Sequence, residues 1–260
     1  MRKPDGPWVA SMFETIDLGG GHRLAYVHSP GRTPGVMFCG GFKSDMTGAK
    51  ALALEDCFRK EGRAFTRFDY TGHGSSSGDF EDGTIGSWRD DAVAIIDNVT
   101  KGPLTLVGSS MGGWIMMLAA LARPERVKAL VGIAAGPDFT EDLMWAKGND
   151  RQRAVLMEKG RWVRPSAYGD EPYIITRDLI EEGREHLVLR APIPFHGPVH
   201  LVHGQADPDV PWQTSLRLAE ALQSEDVTVE LIKSSDHRLS KPHELERIIK
   251  ATRQVVALLA

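Results

Sequence analysis

Only two cysteines occur in 260 residues, Cys39 and Cys57, and they form no C-x-x-C pair. Neither a zinc site nor a redox dithiol is therefore indicated, and both thiols are expected to be reduced and buried in a cytosol-like compartment. No segment approaches the roughly 20 consecutive apolar residues of a membrane span, so stable membrane insertion is not expected. A basic cluster is missing as well. With a formal net charge of −4 the chain does not read as a nucleic-acid binder. The opening "MRKPDGPWVASMFETIDL" has basic residues but no apolar core of a signal peptide, so no secretory signal is expected. Repeats and low-complexity tracts are absent too. What remains is a soluble globular composition, 42% hydrophobic and 25% charged, long enough for one α/β domain with a large core.

Short apolar runs alternate with helical patterns along most of the chain. "GVMFCGG", "AFTRFDY", "LTLVGSS", "KALVGIAAG", "VHLVHG" and "VTVELI" read as strands buried on both faces. "ETIDL" and "HRLAYVHS", split by Gly19-Gly20-Gly21, read as an antiparallel hairpin. Helical segments fall near 48–61, 86–100, 110–122, 212–222 and 242–259. Such alternation predicts a mostly parallel eight-stranded sheet with helices on both faces. From Asp138 to about Gly197 no buried-strand run appears, although Trp145, Trp162, Tyr168 and Tyr173 stand among charges and prolines. A structureless loop of that length is improbable in a compact domain. We expect a small helical lid at 138–197, inserted in a core made of 1–137 and 198–260.

"LTLVGSSMGGWIMM" carries the chemistry. G-x-S-x-G fits in one register only, with Gly108, Ser110 and Gly112. A strand that reverses directly into a helix passes through a sharp turn, and glycines on both sides relieve the crowding. The turn lifts the Ser110 hydroxyl above the sheet edge, at a helix N-terminus whose N–H groups can meet an anion. A Gly/Ser-rich turn can also be purely structural, so the rest of the chain decides.

A serine hydroxyl needs a base, and the base needs an orienting acid. In this strand–turn–helix context the chain order is Ser, then Asp or Glu, then His. "HGQADPDVPW" and "SSDHRLS" follow two of the strands, giving Ser110, Asp207 and His237. Asp209 and Asp236 are rival acids. Asp207 is preferred because it comes first after the strand, with Pro211 suited to the first turn of the next helix. Asp236, adjacent to His237, points away from the imidazole and reads as a turn contact. The oxyanion donors are expected to be the N–H groups of Met111 and of Phe42, the latter in the "CGGFKSDMTG" loop. Trp114, Trp145 and Trp162 are candidate walls of an acyl pocket. For Trp114, as for Met116 and Met117, a place in the core is the plainer reading.

"GGFKSDMTGAKALALE", "RFDYTGHGSSSGDF", "GSSMGGWIMMLAALARPERVKALVGIA", "HGQADPDVPWQTS" and "SSDHR" together span most of the chain outside the lid. Through them the sequence resembles the α/β-hydrolase-domain serine hydrolases, and among these a branch of palmitoyl-protein thioesterases and acyl-glucuronide esterases. The resemblance implies the α/β-hydrolase fold and the same triad, Ser110, Asp207 and His237. It also implies hydrolysis of esters or thioesters with an apolar acyl group, without cofactor or metal. An acylated protein is a further candidate substrate beside small molecules. Two departures stand out: the lid matches less closely, and no transit-like leader is seen. The expected address is therefore cytoplasmic. An acyltransferase or perhydrolase on the same triad is the alternative, and a non-catalytic binding protein of this fold is a more distant one.

Other signals carry less. "FDYTGHGSSSGD", with Asp69 and His73, reads as a tight turn in which Asp69 bonds backbone. His200 and His203 fall on opposite faces of a strand and cannot share a metal. "HELER" ends in Arg247 where a zinc-protease helix needs histidine, and "GFKSDMTGAK" lacks the spacing of a phosphate loop.

Overall fold

A computed structural model describes residues 13–164 and 172–259. Eight strands form one sheet: β1 (Glu14–Asp17), β2 (Arg23–Ser29), β3 (Arg32–Cys39), β4 (Arg63–Phe68), β5 (Leu104–Ser109), β6 (Val127–Ile133), β9 (Val199–Gly204) and β10 (Val227–Ile232). Their order is β1-β2-β4-β3-β5-β6-β9-β10. The β1–β2 hairpin is antiparallel, as is its junction with β4, and every later pairing is parallel. The eight-stranded, mostly parallel sheet expected from the apolar runs is the one observed.

Both faces of the sheet are covered because its strands are apolar on both sides. Helices α1 (Ala49–Lys60) and α7 (Pro242–Ala257) pack Leu54, Phe58, Ile248 and Val255 against Val36, Val107 and Val131. On the other face α2 (Ile85–Asn98), α3 (Met111–Ala122) and α6 (Gln213–Ala221) pack Trp88, Ile95, Trp114 and Leu218 against Met37, Leu106 and Leu130. Successive residues Leu106 and Val107 thus serve opposite layers, the period-two rule of a strand.

Between β6 and β9 the chain leaves the sheet. It forms a π-helical turn (Thr140–Trp145), α4 (Asp150–Lys159), the strands β7 (Arg161–Arg164) and β8 (Tyr173–Thr176), and α5 (Arg177–Gly183). β7 and β8 pair as an antiparallel hairpin, an element absent from the helical expectation. At four residues each, with Arg161, Val163 and Arg164 exposed, these strands lack the apolar run by which buried strands are recognised. Asp138 closes the base of this excursion. It is fully buried, and its two oxygens accept the Val188 and Leu189 N–H groups at 2.8 and 3.0 Å. The Trp114 indole donates to the His186 carbonyl at 2.9 Å, a second tie between core and insertion.

Candidate active site

Ser110 stands between β5 and α3 with φ 54° and ψ −118°, a conformation that costs an L-residue energy and marks a functional turn. The flanking glycines are there for space. A Cβ on Gly108 would lie 2.2 Å from the Gly112 carbonyl oxygen, and one on Gly112 would lie 2.1 Å from that of Cys39. Neither contact can be relieved without moving backbone. Ser109, by contrast, ends β5 and is 6% exposed.

Three loops at the C-terminal ends of strands meet at this turn. His237 Nε2 lies 2.9 Å from Ser110 Oγ, and His237 Nδ1 lies 2.7 Å from Asp207 Oδ2. Asp207 Oδ1 accepts the N–H groups of Asp209 and Val210 at 2.8 and 2.9 Å. The rivals do other work: Asp209 supplies that backbone N–H, and the Asp236 carboxylate accepts the Arg238 N–H at 3.0 Å. Lys50 Nζ donates to the Arg238 carbonyl at 2.5 Å, steadying the histidine loop, and burial pushes its ammonium down to about 8.

Sequence reasoning missed the group behind the acid. His203, fully buried, places Nε2 3.1 Å from Asp207 Oδ2 and 3.0 Å from the Val210 carbonyl. Its Nδ1 is 2.7 Å from Ser215 Oγ. Burial alone raises the Asp207 pKa, but hydrogen bonds from His203 and His237, the charge of His237 and the Val210 N–H outweigh it. The carboxyl is held well below the usual carboxylate range. The available signal was the i, i+4 spacing of His203 and Asp207, legible only once His203 is asked about acids rather than metals. Asp207, Asp209 and His237 do bring one potential ligand atom each within 4.8 Å of one another. Both Asp207 oxygens are already taken by hydrogen bonds, which leaves them poor donors to a metal.

Among the described residues no hydrogen bond uses the N–H of Phe42 or Met111. Met111 is the first residue of α3. Gly41 passes so close that a Cβ there would sit 3.5 Å from Ser110 Cβ. Phe42 and Met111 line the same cavity as Ser110.

Ser110, Met111 and His237 open into a cavity of about 600 Å³. Its apolar walls include Phe42, Phe139, Leu143, Met144, Tyr173 and Val210. The expected tryptophan walls are corrected. Trp114 is fully buried in the core, and neither Trp145 nor Trp162 borders the cavity. The guanidinium groups of Arg153 and Arg184 lie over the Trp145 ring, 5.7 and 4.7 Å from its centre. Trp162 packs with Leu156, Ile175 and Ile180. An insertion lying off the sheet needs a small core of its own, and these rings make it. Tyr168 lies outside the described residues.

A model of the alpha/beta hydrolase family matches residues 36–248. The chain is 45% identical over 227 residues to the mouse protein named "Palmitoyl-protein thioesterase ABHD10, mitochondrial", covering 87% of this chain and 76% of that one. The human protein of the same name is 43% identical over 227 residues, covering 87% and 74%. A solved structure of alpha/beta hydrolase domain-containing protein 10 from mouse superposes with a TM-score of 0.90 at 39% identity, covering 96% of this chain and all of that one. The mitochondrial names of these relatives overturn the expected cytoplasmic address. An address is read by receptors and not by the catalytic fold, so the residues that build the site carry no information on it. Agreement over most of the length, in sequence and in three dimensions, places the protein: the chain belongs to the alpha/beta hydrolase family.

Proposed function

We propose that the chain hydrolyses thioesters and esters of apolar acyl groups through an acyl-enzyme on Ser110. His237 acts as base and acid, Asp207 orients it, and the N–H groups of Phe42 and Met111 hold the oxyanion. The observation that carries this reading is the continuous Ser110–His237–Asp207 chain of hydrogen bonds, 2.9 and 2.7 Å long, opening into a largely apolar cavity. Relatives named palmitoyl-protein thioesterases support the acyl and thioester preference.

The steps follow from the geometry. Ser110 Oγ adds to the acyl carbonyl carbon while its proton passes to His237 Nε2. The carbonyl oxygen becomes an oxyanion beside two N–H donors. Collapse of the tetrahedral adduct breaks the bond to the leaving thiolate or alkoxide, which takes the proton from Nε2. Water then adds to the acyl-enzyme, giving its proton to Nε2, and a second collapse returns that proton to Ser110 and releases the acid. Throughout, the Asp207 carboxylate keeps the proton of His237 on Nδ1, so that Nε2 faces the serine. Segment 138–197 serves as a lid over the core of 1–137 and 198–260, supplying Phe139, Leu143, Met144, Tyr173 and Ile175 to the acyl site.

The test is a kcat/KM panel crossing acyl length with oxygen-ester, thioester and glucuronide leaving groups, run with and without an added alcohol acceptor. Rising kcat/KM with acyl length and free acid as the main product are expected. Transfer of most of the acyl group to the alcohol would replace hydrolysis by acyl transfer.

A further inference from the structure

The "FDYTGHGSSSGDF" turn, Phe68 to Phe80, stands outside the proton relay, yet it grips the loop that carries the Phe42 N–H. Asp69 is 2% exposed, and its two oxygens accept the Met46 N–H at 2.7 Å and the Ser75 N–H at 2.8 Å. His73, 4% exposed, places Nδ1 3.1 Å from the Thr71 carbonyl and Nε2 3.2 Å from the Lys43 backbone nitrogen. A carbonyl only accepts and an amide N–H only donates, which settles the tautomer. Nδ1 carries the proton, and the bare Nε2 accepts the Lys43 N–H. Burial pushes this imidazole down to about 4, so it is a neutral acceptor at neutral pH. Aromatic edges hold the ring, with Phe80, Trp88 and Tyr70 at 5.0, 5.2 and 5.5 Å between centroids.

The gripped loop needs such support. Between β3 and α1 no regular element spans 40–48, and Lys43 sits at φ 57°, a strained value for a side-chain-bearing residue. The Gly41 carbonyl accepts from both the Ser44 N–H at 3.1 Å and the Ser44 hydroxyl at 2.7 Å. That carbonyl and the Phe42 N–H belong to one planar peptide and point in opposite directions. His73 fixes the next peptide, and Asp69 the far side of the loop.

We propose that His73 is a positioning residue for the oxyanion donor, holding the Lys43 amide so that the Phe42 N–H faces Ser110, with Asp69 clamping the same loop at Met46. The proposal rests on the assignment of the Phe42 N–H as an oxyanion donor. Removing one such donor outright costs about 10²–10³ in kcat, so misplacing one should cost about 10–100-fold.

The experiment compares wild type with His73→Phe, which keeps a ring and loses the acceptor, and His73→Gln, which restores an acceptor. Each is assayed with an ester substrate, and with a trifluoromethyl ketone analogue whose carbonyl carbon is attacked by Ser110. That addition sends the serine proton to His237 and leaves an oxyanion in the site. His73→Phe is expected to lose about 10–100-fold in kcat and the same factor in ketone affinity, with KM within about twofold, and His73→Gln to recover most of both. If His73→Phe does not fold, His73→Leu makes the same comparison. Unchanged kcat and ketone affinity in the acceptor-less variant overturns the proposal while leaving the oxyanion site intact. So does a loss spread equally over KM and kcat without recovery in His73→Gln. A wild-type enzyme that turns over esters yet does not bind the ketone overturns the oxyanion assignment and the clamp with it.

Discussion

His203 Nε2 and His237 Nδ1 converge on one oxygen of Asp207, Oδ2, at 3.1 and 2.7 Å. The second partner of His203 Nε2 is the Val210 carbonyl, which can only accept, so that nitrogen carries a proton. The acid is therefore a fully buried carboxylate held by two imidazoles and two backbone N–H groups. Its companion at the reactive end, His237, is 15% exposed in its side chain and faces the cavity.

This arrangement has a consequence for acid stability. Because the folded-state pKa of Asp207 is depressed, its ionised form stabilises the fold at every pH above its unfolded value, near 3.9. That stabilisation is lost as pH falls below about 4 and through the folded value. Urea unfolding of wild type and Asp207→Asn at a series of pH values from neutral downward checks this. Wild type should lose more stability than the variant below about pH 4, and parallel losses would contradict the depressed pKa.

Kinetics separate the three acids. In Asp207→Asn the amide oxygen can keep the Asp209 and Val210 N–H groups only by turning its NH2 donor toward His237 Nδ1, which favours the wrong tautomer and should lower kcat by about 10⁴. Asp209→Asn retains the backbone N–H that meets Asp207, and Asp236→Asn alters a carboxylate that accepts the Arg238 N–H outside the Ser110–His237–Asp207 relay. Both are expected to keep kcat within about tenfold, as removal of an ordinary hydrogen bond at the periphery allows. A loss in either as large as that of Asp207→Asn would reassign the acid.

Acyl preference should follow the cavity walls and not the insertion's tryptophans. Each methylene buried against Leu143, Met144 and Tyr173 should add up to ~0.8 kcal/mol, roughly fourfold in kcat/KM. Leu143→Ala or Met144→Ala is expected to flatten the rise of kcat/KM with chain length while sparing acetate esters. Trp145→Ala and Trp162→Ala should instead lower the melting temperature and scale all substrates together. A chain-length series on the four variants distinguishes these outcomes.

The sheet was legible because β3, β5, β6 and β9 are buried on both faces and so read as unbroken apolar runs. The nucleophile turn was legible for a steric reason, since only glycine clears the backbone contacts at 108 and 112. The β7–β8 hairpin was not, because four-residue strands with exposed arginines carry no run. Aromatic content drew attention to Trp145 and Trp162, but composition does not say which way a ring faces. His73 was read only as part of a tight turn because its partner is a backbone amide 30 residues earlier, and backbone amides leave no mark in the sequence. His203 was weighed only against a metal, although its partner stood four residues on.

The central claim is an acyl group carried by Ser110, and trapping it is the most direct test. The enzyme is mixed with a palmitoyl thioester, quenched in acid within the first turnovers, digested and mapped by mass spectrometry. The account predicts one acyl group on the peptide that contains Ser109 and Ser110, with fragmentation placing it on Ser110. Ser109→Ala should still be acylated and turn over, and Ser110→Ala should do neither. An acyl group on any other residue, or steady turnover by Ser110→Ala, would contradict the account.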